Sequence, residues 1–155
     1  MKNKIARAYL LVLTLASLAL VGYYGYMLYQ KDNFSCDGRF YIKNNRDVLD
    51  LNVHYRFNAG VGLVESQGEF IPYNGEPARP IKIHIKFSYH QDGDKMFLIS
   101  ENTNPNQQDI TLLNQLLPDF FLIRNRGINM HIYPQGQEGY VFSGDKIPYF
   151  LCLKD

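Results

Sequence analysis

Two long segments of the chain alternate apolar and polar side chains with a period of two. In the first segment, the apolar positions are Leu49, Leu51, Val53, Tyr55 and Phe57. The second segment repeats the pattern at Ile81, Ile83, Ile85, Phe87 and Tyr89. Because successive side chains of a strand point to opposite faces, this period predicts two strands that each bury one face. Shorter versions of the pattern are Phe34, Cys36, Phe40 and Ile42, and then Ile128, Met130 and Ile132.

Turn-forming residues separate these segments, as in Asn58-Ala59-Gly60, Asn74-Gly75 and Asp92-Gly93. Their spacing predicts seven or eight antiparallel strands, near residues 34–42, 48–57, 61–72, 81–90, 95–101, 128–133, 139–143 and 147–153. One-sided strands in an antiparallel meander favour a mainly β fold, here a lipocalin-like barrel or half-barrel. A two-sheet sandwich is the alternative.

One segment between the strands has helical spacing instead. Its apolar residues are Ile110, Leu112, Leu113, Leu116 and Leu117. Asp109 is the predicted N-cap and Pro118 the predicted stop, because a short polar side chain caps the first turn and proline interrupts a helix. We therefore expect one short helix across an opening of the barrel.

An uncharged, mostly apolar run extends from Ala8 to Tyr29. At a rise of 1.5 Å per residue, roughly 20 such residues cross a hydrocarbon core of about 30 Å. Lys2, Lys4 and Arg7 precede the run, which indicates a cytoplasmic N-terminus and an exported remainder. The sequence thus predicts a single membrane span.

The domain organisation follows from this run. Residues 1–31 are predicted to form a short cytoplasmic tail and a transmembrane signal-anchor, and residues 32–155 an exported β domain. The alternative is a signal peptide cleaved near Ser17-Leu18-Ala19. Cleavage there would leave Leu20 to Tyr29 as an exposed apolar tail, which favours retention of the anchor.

Charge excludes one class of function. Of the 16 Lys and Arg residues, four precede residue 32, while all 15 Asp and Glu residues lie at or after it. The remainder therefore has 12 basic against 15 acidic residues, a net charge of −3. Because nucleic-acid phosphates require a cluster of Lys and Arg side chains on one face, we expect no direct nucleic-acid binding.

The two cysteines lie in the first and last predicted strands. In an oxidising compartment, Cys36 and Cys152 are expected to form a disulfide. In an up-and-down barrel these strands are neighbours, so the bond would fasten the closure. Two buried thiols that pack as small apolar side chains are the alternative.

The histidines are the candidate residues for sensing pH or binding an acidic ligand. His54, His84 and His131 occupy polar positions of predicted strands and would sense pH or contact an acidic ligand if that face turned inward. The favoured interpretation places them, with His90, on a solvated outer face. We find no sequence pattern for a catalytic nucleophile, a calcium loop, a dinucleotide loop or a metal site, and we expect no cofactor.

In its organisation the chain resembles the FidL-like family of putative membrane proteins. The resemblance rests on the anchor, the strand "FSCDGRFYI", the all-β exported domain and the ending "PYFLCLKD". Such proteins are putative inner-membrane proteins of enteric bacteria and are similar to ToxS and VtrC, the periplasmic companions of ToxR-like regulators. The resemblance therefore implies that the anchor crosses a bacterial inner membrane and that residues 32–155 form a periplasmic β domain. The resemblance implies a partner with a cytoplasmic winged-helix domain and a single membrane span, which associates through its periplasmic domain and in some cases helps to enclose a small amphipathic ligand.

The expected function is therefore that of a non-enzymatic, bitopic accessory protein. It would bind and stabilise, or modulate, the periplasmic domain of a ToxR-like membrane-anchored transcriptional regulator, and respond to a small amphipathic ligand or to acid pH. A free-standing lipocalin-like carrier of an apolar small molecule is the second hypothesis. An exported enzyme is the third.

Overall fold

The computed structural model describes residues 2–44 and 47–155, which divide into two compact units between Asn33 and Phe34. The first unit is the long helix α1, Lys2–Asp32. Its segment Tyr9–Met27 is long and apolar enough to cross a membrane, a property that anchors share with N-terminal signal sequences. The predicted apolar helix is confirmed, and its side chains from Tyr9 to Met27 are exposed in the isolated chain.

The second unit is a closed antiparallel barrel of eight strands in sequence order, with β8 beside β1. The predicted mainly β barrel is confirmed, and the two-sheet sandwich is wrong because one continuous sheet closes on itself. The elements are β1 Asn33–Lys43, β2 Val48–Asn58, β3 Val61–Ile71, β4 Arg79–Asp92, β5 Lys95–Thr103, α2 Gln107–Leu113, α3 Asp119–Leu122, β6 Gly127–Gln135, β7 Gly139–Ser143 and β8 Pro148–Lys154.

The apolar face of the strands forms the interior of the barrel. The alternating residues of β2 are all buried, and so are the first four of the matching set in β4. Aromatic rings fill much of this interior. Tyr55, for example, packs against Phe57, Phe142 and Phe150 with ring centroids 5.0–6.1 Å apart. The polar phase of the strands therefore faces outward.

Two short helices, rather than one, follow β5. The N-cap of α2 is Asn106, three residues before the predicted Asp109. Asn106 Oδ1 accepts from the Asp109 backbone N–H at 2.9 Å, while the Asp109 carboxylate accepts from the Asn106 N–H at 3.4 Å. This reciprocal pair is a capping box, so Asp109 takes part in the cap from the N3 position.

The second short helix, α3, begins after Pro118 and was not predicted. It buries Phe120, Phe121 and Leu122 in the core. Phe121 meets Phe40 of β1 edge to face at 5.8 Å. The segment between β5 and β6 thus supplies core residues from both helices.

The barrel closes between β1 and β8. Their register pairs Cys36 with Lys154, Asp37 with Leu153 and Gly38 with Cys152. Cys36 and Cys152 form a disulfide inside the wall, where both are fully buried, so the predicted bond is confirmed. The bond therefore fastens the paired end of the two strands.

Candidate functional site

An apolar cavity of the barrel lies beyond the paired end of the β1–β8 closure. It has a volume of about 380 Å³ and is lined mainly by apolar side chains from β1, β2, β6, β8 and the helical segment. The lining includes Phe40, Tyr55, Phe121, Met130, Tyr149 and Phe150. Pockets for small organic ligands typically begin at about 300 Å³ and are mostly apolar with a few polar groups. The cavity therefore has the size and chemistry of a small-ligand site.

The local geometry of the closure explains the position of the cavity. Within the described chain, the paired residues of β1 and β8 are 36–38 and 152–154. The cavity lies beside the part of β1 that follows Gly38 and the part of β8 that precedes Cys152. There the rings of Phe40 and Phe150 meet edge to face at 4.5 Å. At Gly38, an added Cβ would lie 2.8 Å from the Phe150 ring, so the small residue allows this ring to pack against β1.

Tyr55 lines the cavity and carries a buried hydroxyl group. The residue is completely buried, and its Oη has no hydrogen-bond partner within the described part of the chain. Burial raises the pKa of the Tyr55 hydroxyl, so the group is neutral and can donate a hydrogen bond. A buried hydroxyl without a partner is unusual in folded proteins. Sequence analysis assigned Tyr55 only to the core, because its alternation does not distinguish a core residue from a cavity residue.

The histidines lie on the outer face of the barrel. His54 of β2, Glu65 of β3 and His84 of β4 are directly opposite one another across the strands, which places them in one row. His84 Nδ1 lies 3.6 Å from Glu65 Oε1. The row borders a surface cleft of about 350 Å³. Because the barrel interior is apolar, the histidines do not share an internal cavity, and a pH-sensing role stays a prediction.

His54 also contacts carboxylates from the two closing strands. Its Nδ1 lies 2.9 Å from Asp37 Oδ1 and 3.9 Å from Asp155 Oδ1. The hydrogen bond with His54 lowers the pKa of Asp37, although burial opposes this shift. The sequence predicted no metal site, yet these three side chains have the donor types of one. Asp155 was missed because it is 101 positions from His54 in the sequence and only the barrel closure brings the two together.

His131 lies apart from this row, between two turns of the barrel. Its Nδ1 is 3.3 Å from Asp94 Oδ2, and its Nε2 is 3.4 Å from Asp145 Oδ1. Lys95 Nζ lies 2.8 Å from the same Asp145 oxygen, and this contact, followed by that of His131, lowers the pKa of Asp145. The structure thus brings together two of the three predicted histidines. His90, the fourth histidine, stacks on Phe97 at 4.9 Å.

The outer surface of β8 is apolar. Tyr133, Val141 and Leu151 are opposite one another across β6, β7 and β8, and Leu153 follows two positions along β8. Leu151 and Leu153 are 47% and 54% exposed, and Tyr133 is 41% exposed. We call these four residues the β8 face. Contiguous exposed apolar residues of this kind mark interaction sites more often than scattered ones do.

Comparison with known proteins gives a family but no function. The YqeJ C-terminal domain family matches residues 32–152. A protein of Escherichia coli (strain K12), described as "Uncharacterized protein YqeJ", is 25% identical over 117 residues, which cover 72% of this chain and 72% of that protein. No solved structure gives a significant match.

Proposed function

The chain belongs to the YqeJ C-terminal domain family, and we propose that it is a non-enzymatic, membrane-anchored accessory protein of a ToxR-like transcriptional regulator. In this proposal α1 crosses the bacterial inner membrane and the barrel lies in the periplasm. There the barrel binds and stabilises the periplasmic domain of the regulator. The organisation of an apolar helix before a disulfide-closed barrel supports this role, as does the resemblance to the FidL-like family.

The β8 face is the observation that carries the proposal. Its four side chains are uncharged and lie side by side on the outer wall, where they would remain in water without a partner. At about 25 cal/mol per Å² of apolar surface removed from water, covering them favours association. The occupant we propose is the periplasmic domain of the regulator, with a second copy of this chain as the competing outcome.

Co-expression of the full chain with a candidate regulator tests the association. The regulator should have a winged-helix domain and one membrane span. We expect the two proteins to co-purify in mild detergent and to protect each other from degradation. Leu151→Glu should abolish co-purification, because the change places a charge in the centre of an apolar interface. Ile99→Glu is the matched control, because Ile99 of β5 is similarly exposed at 46% but lies outside the β8 face.

Two outcomes would contradict this proposal. The first is the absence of both complex formation and mutual protection for the unaltered pair. The second is a complex that contains copies of this chain only and is disrupted by Leu151→Glu, since the β8 face would then be a homodimer interface.

The anchor needs a separate test. Carbonate-washed membranes should retain the full chain, and alkaline phosphatase fused after residue 155 should be active because it reaches the periplasm. A mature protein that begins after residue 19 and appears in the soluble fraction would support a cleaved signal peptide instead. That result would favour the free-standing carrier of an apolar molecule.

The cavity supports a ligand-responsive form of the same function. We propose that it holds an amphipathic molecule whose apolar body contacts the aromatic lining and whose polar group accepts a hydrogen bond from Tyr55 Oη. Laurate is a suitable probe for calorimetry, because it combines one apolar chain with one carboxylate. Tyr55→Phe should weaken its binding by about tenfold or more, because a hydrogen bond to a charged group contributes about 1.5–3 kcal/mol. Equal affinities would contradict a role of the hydroxyl in binding.

The last part of the proposal is that the protein responds to acid pH. His54, His84 and His131 are the candidate sensors, because imidazole changes its charge near neutrality and all three lie near carboxylates. Replacement of all three by glutamine should flatten any change in regulator activity between about pH 7 and pH 5.5. An unchanged response would exclude these residues.

A further inference from the structure

A second candidate site lies on the outer side of the barrel closure. The ligand atoms of Asp37, His54 and Asp155 all lie within 4.8 Å of one another. Zinc binds histidine nitrogen and carboxylate oxygen at about 2.0–2.2 Å, and a tetrahedral arrangement at that radius places neighbouring ligand atoms about 3.4 Å apart. The separations of 2.9 Å and 3.9 Å from His54 Nδ1 to the two carboxylates bracket that value.

We propose that Asp37, His54 and Asp155 bind a zinc ion that fastens the closure of the barrel. Three protein ligands leave a fourth tetrahedral position for water. Calcium and magnesium fit less well, because they prefer shells made of oxygen ligands and disfavour imidazole. Two carboxylates and a neutral imidazole carry a charge of −2, which a divalent cation neutralises.

The positions of the ligands explain what the ion would do. Asp37 lies on β1, opposite Leu153 of β8, and Asp155 directly follows β8. His54 belongs to β2. An ion bound to all three side chains would therefore connect β2 and β1 with the end of β8. Cys36, the neighbour of Asp37, already joins β1 to β8 on the inner side of the wall. The closure would thus be held by a disulfide on the inner side of the wall and by a zinc ion on the outer side.

Solvent can reach the proposed zinc site through a cleft. This cleft of about 350 Å³ is lined by Asp37 and His54, together with Glu65 and His84 from the adjacent strands. The side chain of Asp37 is 68% exposed and that of Asp155 is 37% exposed, so both can move by the ångström or so that coordination requires. His54 is 26% exposed, and zinc would take the place of the proton that its Nδ1 shares with Asp37.

Titration of the full chain with zinc alone tests the proposal. The protein should be purified in detergent with an affinity tag that contains no histidine, and binding should be measured by competition with a chromophoric chelator. We expect one equivalent of zinc to bind. His54→Ala should weaken binding at least tenfold, and Asp155→Asn should also weaken it. His90→Ala is the control, because His90 stacks on Phe97 outside the proposed site.

Thermal unfolding shows whether zinc binding stabilises the folded barrel or only occurs at its surface. Zinc should raise the unfolding midpoint of the unaltered chain and of His90→Ala, and at the same zinc concentration it should raise the midpoint of His54→Ala by less. Absence of binding at millimolar zinc would overturn the proposal, and so would equal affinities of His54→Ala and the unaltered chain. Binding without a change in midpoint would overturn the fastening role. If His54→Ala fails to fold, Asp155→Asn supplies the same comparison from an exposed position.

Discussion

Replacement of Tyr55 by phenylalanine should stabilise the barrel when no ligand is bound. The substitution removes one oxygen and leaves the ring contacts with Phe57, Phe142 and Phe150 in place. In the structure that oxygen is buried and has no partner in the described part of the chain. In the unfolded chain it is solvated. Folding therefore takes the hydroxyl out of water without replacing its hydrogen bonds, and phenylalanine avoids that loss.

The size of the effect follows from the cost of burying an unpaired hydroxyl. Mutational data place this cost at about 1–3 kcal/mol. Part of the gain is lost because phenylalanine leaves a slightly larger void, so we expect the free energy of unfolding to rise by about 1–2 kcal/mol. With a urea dependence of about 2 kcal/mol per molar, the midpoint should move up by about 0.5–1 M.

Urea unfolding of the barrel from residue 32 onward, with the disulfide intact, measures this change. The barrel is a compact unit with its own core, so the assay can omit α1. Tyr41→Phe is the control, because Tyr41 is 62% exposed and its hydroxyl is solvated in both states. The control should change the free energy of unfolding by less than about 0.5 kcal/mol. A loss of 1 kcal/mol or more in Tyr55→Phe would refute the reasoning, because the hydroxyl would then have a partner in the free protein.

Three further predictions concern stability. Gly68→Ala should cost about 3 kcal/mol or more in urea unfolding, because its Cβ would lie 1.9 Å from the Asp50 carbonyl oxygen, and a loss below 1 kcal/mol would contradict this clash. Replacing both Cys36 and Cys152 by alanine should lower the free energy of unfolding by about 4–5 kcal/mol, since the bond closes a loop of 116 residues, and the apparent thermal midpoint should fall accordingly. Because the pKa of Asp145 is lowered in the folded protein, its ionised carboxylate stabilises the fold at a pH above its unfolded-state pKa. This contribution disappears as the pH falls through the folded-state pKa. The stability difference between the unaltered barrel and Asp145→Asn should therefore be largest near neutral pH and disappear as the pH falls through the folded-state pKa, and a difference independent of pH would contradict the assignment.

The positions of the strands could be predicted because the alternation of apolar and polar residues is a local feature of the sequence. Each strand of a closed barrel has one apolar and one solvated face, so β2 and β4 display the period of two directly in their sequences. The same argument did not locate α3, because four residues after Pro118 are too few to show a helical period. The N-cap of α2 was misplaced for a different reason. Asn106 and Asp109 both have capping side chains, and the backbone conformation of Asn106 determines which one is the N-cap.

The candidate sites depend on contacts that the sequence pattern does not contain. Tyr55 is one of five alternating apolar residues of β2, and nothing in that alternation shows that its hydroxyl lacks a partner. Asp155 meets His54 only because β8 returns to β1 in a particular register. A shift of that register by one residue would move every side chain of β8 to the opposite face. These sites therefore require the closed barrel before they can be recognised.

The cavity and the β8 face both involve residues of β8. Phe150 lines the cavity, whereas Leu151, the next residue, lies on the β8 face. A ligand that shifted the backbone at Phe150 would also shift Leu151, the next residue. If both proposed molecules bind, their coupling must be reciprocal: a ligand that strengthens partner binding tenfold is itself bound ten times more tightly in the complex. Laurate affinities measured with and without the regulator's periplasmic domain test this, and identical affinities would show that the two sites are independent.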